Sequence, residues 1–445
     1  MNQIAPQLVS PAERPGGRPV AEEPPRTGLA AWLHAAVFFG LIALLLFGPL
    51  ALGAVEPWSQ MVLEVGSAVL FLLWAAGQAM DGVLRVRYNR LYLPMIAFAA
   101  VVLVQLAATS VYRYATFDQL MLYASYGVLF FLAVQCLYKP QRFSTFLAVF
   151  TAFGFALVIF SLVHHFTFNH KLYWVRPLPF GGGEWAPYVN RNHYAGLMEM
   201  LIPFPLVMCV TGYLQGSRRA LAGFAAAVMM VSVFLSLSRG GMVALVMEGA
   251  LLVALGLRQK RRAVMIAAVA VVAVAAALLL WMGTGPLVER FENVHDETRA
   301  AIVQDSVRMI ARRPVLGWGL GTFTTVYPQF RRYYTDYFVN AAHNDYIEAL
   351  VDTGLLGFAT VLWFLFGLYR NAWRHLGPMQ SSAAYSAALG ALIGCTGLLV
   401  HSFVDFNLHI PANAALFYVL CAIASSPLPR ARTIRWRRPA AIRLP

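Results

Sequence analysis

Residues 343–373 read HNDYIEALVDTGLLGFATVLWFLFGLYRNAW. The polar opening (His343, Asn344, Asp345, Glu348) gives way near Gly354 to an apolar run ending about Trp373. Such a run has the roughly 20 residues needed to cross a hydrocarbon core. Upstream, residues 284–353 form one long polar segment in a chain that is otherwise apolar. His343 therefore sits where a polar loop re-enters a bilayer, and it is the first candidate for chemistry.

The rest of the chain repeats the apolar half of that pattern. Mean hydropathy is +0.62, and only 12% of residues are charged, against about 25% in soluble domains. Within lipid, helices satisfy their own backbone groups. The expected fold is thus an all-α polytopic membrane protein with about twelve spans, near 30–52, 61–80, 91–109, 117–137, 143–168, 195–213, 219–237, 240–257, 263–283, 354–373, 381–404 and 411–426. Residues 1–29, rich in Pro, Gly, Arg and Glu, read as a disordered cytoplasmic tail. Spans one to nine fill 30–283, a large external loop containing short helices fills 284–353, spans ten to twelve fill 354–426, and 427–445 form a basic cytoplasmic tail. No cleaved signal peptide is expected, because the first apolar stretch starts late and is long enough to span.

Charge orients the bundle. With both termini inside, 22 of the 34 basic residues fall on inside segments, including Arg85, Arg87, Arg218, Arg219 and the cluster Arg430–Arg438. Every short inside loop then has at least two, as the positive-inside rule requires. The net charge of +14 follows from this bias, so no nucleic-acid partner is inferred from it. Membrane lipids are the expected contact of the C-terminal arginines. The four cysteines, Cys136, Cys209, Cys395 and Cys421, lie within predicted spans without metal-ligand spacing.

Three external segments carry the polar chemistry. The first ends Asn190-Arg191-Asn192-His193-Tyr194, where a helix start would aim free N–H groups and a dipole at the same place as the Arg191 guanidinium. An ordinary polar loop end is the other reading. The second, Ser236-Leu237-Ser238-Arg239-Gly240-Gly241, interrupts an apolar region too long for one helix, and Gly240-Gly241 are expected to make its turn. Arg239 either snorkels from a helix end or faces an interior site. In the third, seven arginines and seven acids between Glu289 and Asp345 nearly cancel, so an anion site must come from individual arginines. Residues 298–313 have helical periodicity and are expected to lie over the bundle as an amphipathic helix. Pro314–Phe323 is glycine-rich but lacks the Lys-Ser/Thr of a nucleotide loop; a compact turn presenting Trp318 is expected. Tyr327, Tyr333, Tyr334 and Tyr337 suit an interfacial belt or sugar stacking. A lone histidine is usually structural, yet neutral imidazole near pH 7 is suited to removing a hydroxyl proton.

Taken in order, these motifs resemble the O-antigen ligase superfamily. They are Asn190 to Gly196 leading to Pro203, Ser236 to Gly241, Asp296 to Arg299, Pro314 to Gly319, and His343 to Tyr346 ending at Gly354-Leu355-Leu356-Gly357. The resemblance implies an inverting glycosyltransferase of the GT-C type, acting at the periplasmic face of the bacterial inner membrane without metal or other cofactor. It implies a polysaccharide donor on undecaprenyl pyrophosphate and a lipid A–core acceptor. Carried onto this chain, His343 is the catalytic base. Arg191 and Arg239 match pyrophosphate-holding positions, Arg299 matches a recurrent loop arginine, and Asn190 and His193 complete the substrate-binding set. Polysaccharide polymerases and protein O-oligosaccharyltransferases share the motifs. A flippase or transporter is the competing class, although such proteins place charge near the midplane, whereas here it gathers at one face.

Overall fold

The computed structural model describes residues 28–178, 181–258, 295–334, 338–428 and 433–437. It is a helical bundle. The helices are α1 (Gly28–Leu50), α2 (Pro57–Met80), α3 (Tyr92–Val104, extended by a π turn Gln105–Thr109), α4 (Arg113–Cys136), α5 (Pro140–Phe166), α6 (Arg191–Leu201), α7 (Pro203–Val210), α8 (Gly216–Leu235) and α9 (Arg239–Arg258). They continue as α10 (His295–Arg312), α11 (Phe323–Val326), α12 (Asp345–His375), α13 (Ala383–His401) and α14 (Pro411–Ser425). Among the described residues, ten helical segments are long and apolar enough to cross a membrane, and α14 is a shorter apolar helix. The span expected at 263–283 and the outer parts of both tails lie outside the described residues.

Helix α13 is the axis. Its run of Ala, Gly, Ser and Leu admits close neighbours on all sides, and it packs against α5, α6, α7, α9 and α14. Strand β1 (Val83–Arg87) pairs antiparallel with the C-terminal strand Thr433–Arg437 at one end of the bundle. Alternation of the helices brings the N-termini of α6, α9, α12 and α14 and the C-terminus of α13 together at the opposite end.

The polar head read at 343–353 belongs to α12 itself, which starts at Asp345, not at the expected span start near Gly354. Asn344 caps it, its side-chain oxygen accepting from the Tyr346 and Ile347 amides. The helix breaks at Gly354 (φ +62°, ψ −169°), a conformation essentially confined to glycine. The turn after α10 docks on that break and takes over its backbone bonding. Trp318 N–H donates to Val351 O and Gly319 N–H to Asp352 O, while Leu355 N–H donates to Pro314 O. Gln105, in the π turn, donates to both Leu316 O and Asp352 O. The approach is so close that a Cβ on Gly354 would stand 2.4 Å from Val315 O.

The segment that carries α10 and α11 has a small core of its own, with Ile302, Met309, Phe323, Tyr327, Ala342 and Val351. Helix α10 forms as its periodicity predicts, although Val307, one of the apolar positions, is 55% exposed. Several of its arginines are structural. Buried Asp305 receives Arg308 at 2.7 Å and Arg332 at 3.3 Å. Arg313 stands over the Trp318 ring and donates to Thr109 O.

Candidate functional site

The segment His401–His409, running from the last residue of α13 towards α14, is where the starts of α6, α9 and α12 converge. Asp345 N–H donates to Ser402 O, and Asn344 Nδ2 donates to Phe403 O at 2.8 Å. Arg299, on α10, donates to Val404 O at 3.3 Å. Asn192, in the first turn of α6, donates to Asp405 Oδ2. The other oxygen of Asp405 lies 3.5 Å from His343 Nδ1. The Phe406 ring is packed edge-to-face between the imidazoles of His193 (4.8 Å) and His343 (5.0 Å).

His343 has φ +51°, an uncommon backbone state for any residue with a Cβ. It is fixed because Asn344 immediately caps α12 and the amide of Ala342 donates to Glu348. The imidazole is 27% exposed, whereas Asp405 is 1% exposed. An accessible imidazole backed by a buried acid is an arrangement that orients a general base. Burial by itself would raise the Asp405 carboxyl. The adjoining His343, together with the charges of His193 and His401, instead holds it well below the usual carboxylate range.

The arginines take different places. Arg191 and Arg239 are the first residues of α6 and α9, so each guanidinium starts at the positive end of a helix dipole. Gly240 and Gly241 do not form the turn expected of them; they lie inside α9. The turn is Ser236-Leu237-Ser238, with Leu237 at φ +54°. The glycines serve close packing instead, since a Cβ on Gly240 would stand 2.3 Å from the His401 ring. That contact, and the bond from Asn192 to Asp405, seat the starts of α9 and α6 against the 401–409 segment and beside each other, a Cβ on Gly241 standing 2.9 Å from the Ala195 Cβ. Asn190 spends its side-chain oxygen capping α6, accepting from Asn192 N–H. His193 is buried beneath Phe406. Of the residues singled out from sequence, His193, Arg299 and His343 touch this segment, and Asn190, Arg191 and Arg239 stand within two residues of Asn192 and Gly240, which also touch it.

That segment itself was missed. Asp405, His401 and His409 lie at the end of an expected span (381–404) or just beyond it. The available signal was two histidines and an aspartate within nine residues between apolar runs, since ionisable residues at membrane depth are costly. His401 pairs with Glu199 at 2.8 Å in the bundle interior. His409 lies between Asp345 and Glu348 of α12. Beside it, α3, α4, α12 and α14 line a cavity of about 620 Å³ with aromatic walls that include Phe98, Tyr123, Phe364 and Tyr418. Its polar end is formed by Asp345, Asp352 and His409.

These features define a multi-pass α-helical membrane protein with a convergent His–Asp site flanked by arginine-bearing helix N-termini. Residues 224–362 match the O-antigen ligase family, and the match supports membership of the O-antigen ligase/Wzy superfamily. No curated protein matches the chain. Members of the family are glycosyltransferase-like ligases and polymerases, and the family implies lipid-linked polysaccharide substrates. The matched stretch contains Arg239, Arg299 and His343, whereas Arg191, Asp405 and His409 lie outside it.

Proposed function

We propose that the protein is an O-antigen ligase that transfers a polysaccharide from undecaprenyl pyrophosphate to a sugar hydroxyl of a lipid A–core acceptor, with inversion and without metal, at the periplasmic face of the inner membrane. The observation that carries this reading is the pairing of His343 with buried Asp405, on the segment against which the arginine-bearing starts of α6 and α9 pack, in a chain whose residues 224–362 match the O-antigen ligase family.

Across a 3.5 Å gap the Asp405 carboxylate favours the proton on Nδ1, and His343 then offers the Nε2 lone pair to the acceptor hydroxyl. The acceptor oxygen bonds to the anomeric carbon as its proton passes to Nε2. The bond from that carbon to the donor phosphate oxygen breaks, and the pyrophosphate leaves with the electron pair. Asp405 stabilises the imidazolium that forms. Charge grows on the departing pyrophosphate, and Arg191 and Arg239 bind it through planar forks that match phosphate oxygens. Fixed guanidiniums at a partly dry site favour the transition state over the bound donor. Arg299 fastens α10 to Val404 and so closes the site from the loop side.

Purified protein supplied with prenyl-pyrophosphate-linked glycan and rough lipopolysaccharide tests the reading, with chelator present throughout. Glycan on the lipid A–core is the expected product. Extension of the donor glycan with the core left bare would make the protein a polymerase. Transfer to polypeptide would make it a protein glycosyltransferase, and passage of donor across vesicles without transfer would make it a flippase.

A further inference from the structure

Two carboxylates in the first turn of α12, Asp345 and Glu348, are 5% and 4% exposed. Such a pair inside a bundle requires a cation or a proton. His409 supplies the contact. Its Nδ1 lies 2.8 Å from Asp345 Oδ1, and its Nε2 lies 3.1 Å from Glu348 Oε1. A neutral imidazole has one N–H, so two carboxylates held by both nitrogens call for the imidazolium. The contacts close a ring around the turn that bears His343. The second oxygen of Glu348 accepts from the Ala342 amide, and the second oxygen of Asp345 accepts from the Leu408 amide. His343 lies inside this ring at φ +51°, a backbone state that persists only where its surroundings over-determine it.

We infer that His409 is a positioning residue, a charged clamp that ties the His343 turn to the segment carrying Asp405 and so sets the imidazole against the acid. The inference rests on the reading of His343 as the base. The groups facing His409 are Asp345, Glu348 and, one turn on, Asp352 from α12, and His193 from α6, while Tyr123 from α4 lines the same cavity. Acids outnumber bases there. Burial opposes a charge on His409, but Glu348 and Asp345 outweigh it and hold the imidazole well above its ordinary range. A histidine raised in the folded state stabilises it fully below the unfolded value of about 6.5, and the contribution is lost as pH rises through the folded value. The clamp therefore opens on the alkaline side.

The test is the pH profile of transfer by the full-length enzyme, His409→Gln, His409→Lys, Glu348→Gln and His343→Ala, with thermal unfolding followed for each. Wild-type kcat should fall on the alkaline side while donor KM stays constant. His409→Gln should lose ~10–100-fold in kcat, the scale of a small misplacement of a reacting group, and lack the alkaline fall. His409→Lys keeps a cation to higher pH, so it should recover part of kcat and move the fall upward. If His409→Gln does not fold, Glu348→Gln, which releases the Ala342 side of the ring, should show the same kcat loss at constant KM. A His409→Gln or Glu348→Gln enzyme with wild-type kcat and an unchanged alkaline fall overturns the clamp. An active His343→Ala enzyme would instead overturn the assignment of the base.

Discussion

Asp405 Oδ1 faces His343 Nδ1 at 3.5 Å, and Asp405 Oδ2 accepts from Asn192. One buried carboxylate therefore joins the start of α12 to the start of α6. Asp405→Asn keeps the shape but presents a donor or a neutral acceptor to His343. By analogy with acid–imidazole pairs, where the wrong tautomer is costly, kcat should fall by ~10²–10⁴ with donor KM little changed. Because Asp405 is depressed in the folded state, its stabilisation is present above the unfolded value of about 3.9 and is lost only as pH falls through the lower folded value. Acid unfolding of Asp405→Asn should accordingly lose part of the steepness seen in wild type below about pH 4.

For His343→Ala, transfer should drop by ~10²–10⁴ while donor still binds, since the arginines hold the pyrophosphate. Single-turnover transfer and binding of labelled donor separate the two. Near-normal turnover would leave His343 a packing role against Phe406.

Arg239→Lys retains charge but not the planar fork. A loss of ~10²–10³ in kcat is expected, the scale of removing one donor to developing charge, with normal membrane insertion. Arg331→Ala, on the exposed face of the loop, serves as the control and should be nearly silent. Equal behaviour of the two variants would remove the pyrophosphate role from Arg239.

Gly354→Ala places a methyl 2.4 Å from Val315 O at φ +62°, in a region that costs on the order of 1–3 kcal/mol for a residue with a Cβ. The helix break and the docked turn should both loosen, read as a lowered unfolding temperature in detergent and faster proteolysis at 314–322. Gly127→Ala meets nothing nearer than the Met95 methyl at 3.6 Å and should unfold as wild type does.

Orientation can be read with single cysteines in a chain whose four native cysteines are replaced. Phe338→Cys, 76% exposed at the site end, should react with an impermeant thiol reagent in spheroplasts. Ser217→Cys, exposed at the opposite end, should react only after lysis. The reverse pattern would put the site in the wrong compartment.

The spans were legible in the sequence because burial in lipid is a local demand: about twenty apolar residues satisfy it wherever they stand. The helical stretch 298–313 was likewise written in local periodicity. The role of Gly240-Gly241 was not, because a glycine pair at a turn and a glycine pair beneath a histidine ring have the same sequence. Nor was the start of α12. Its first nine residues carry Asp345, Glu348, Asp352 and Thr353, and they are helical because His409, Ser402 and the docked 314–319 turn satisfy their polar groups.

What the sequence determined by itself was therefore the membrane class, the positions of most spans and the candidacy of His343, Arg191 and Arg239. Only the tertiary structure decided what faces His343. Asp405 and His409 are ordinary polar residues at a helix end until α6, α9, α12 and α13 converge. In that convergence an acid or an imidazole acquires its chemistry from whichever partner the packing sets beside it.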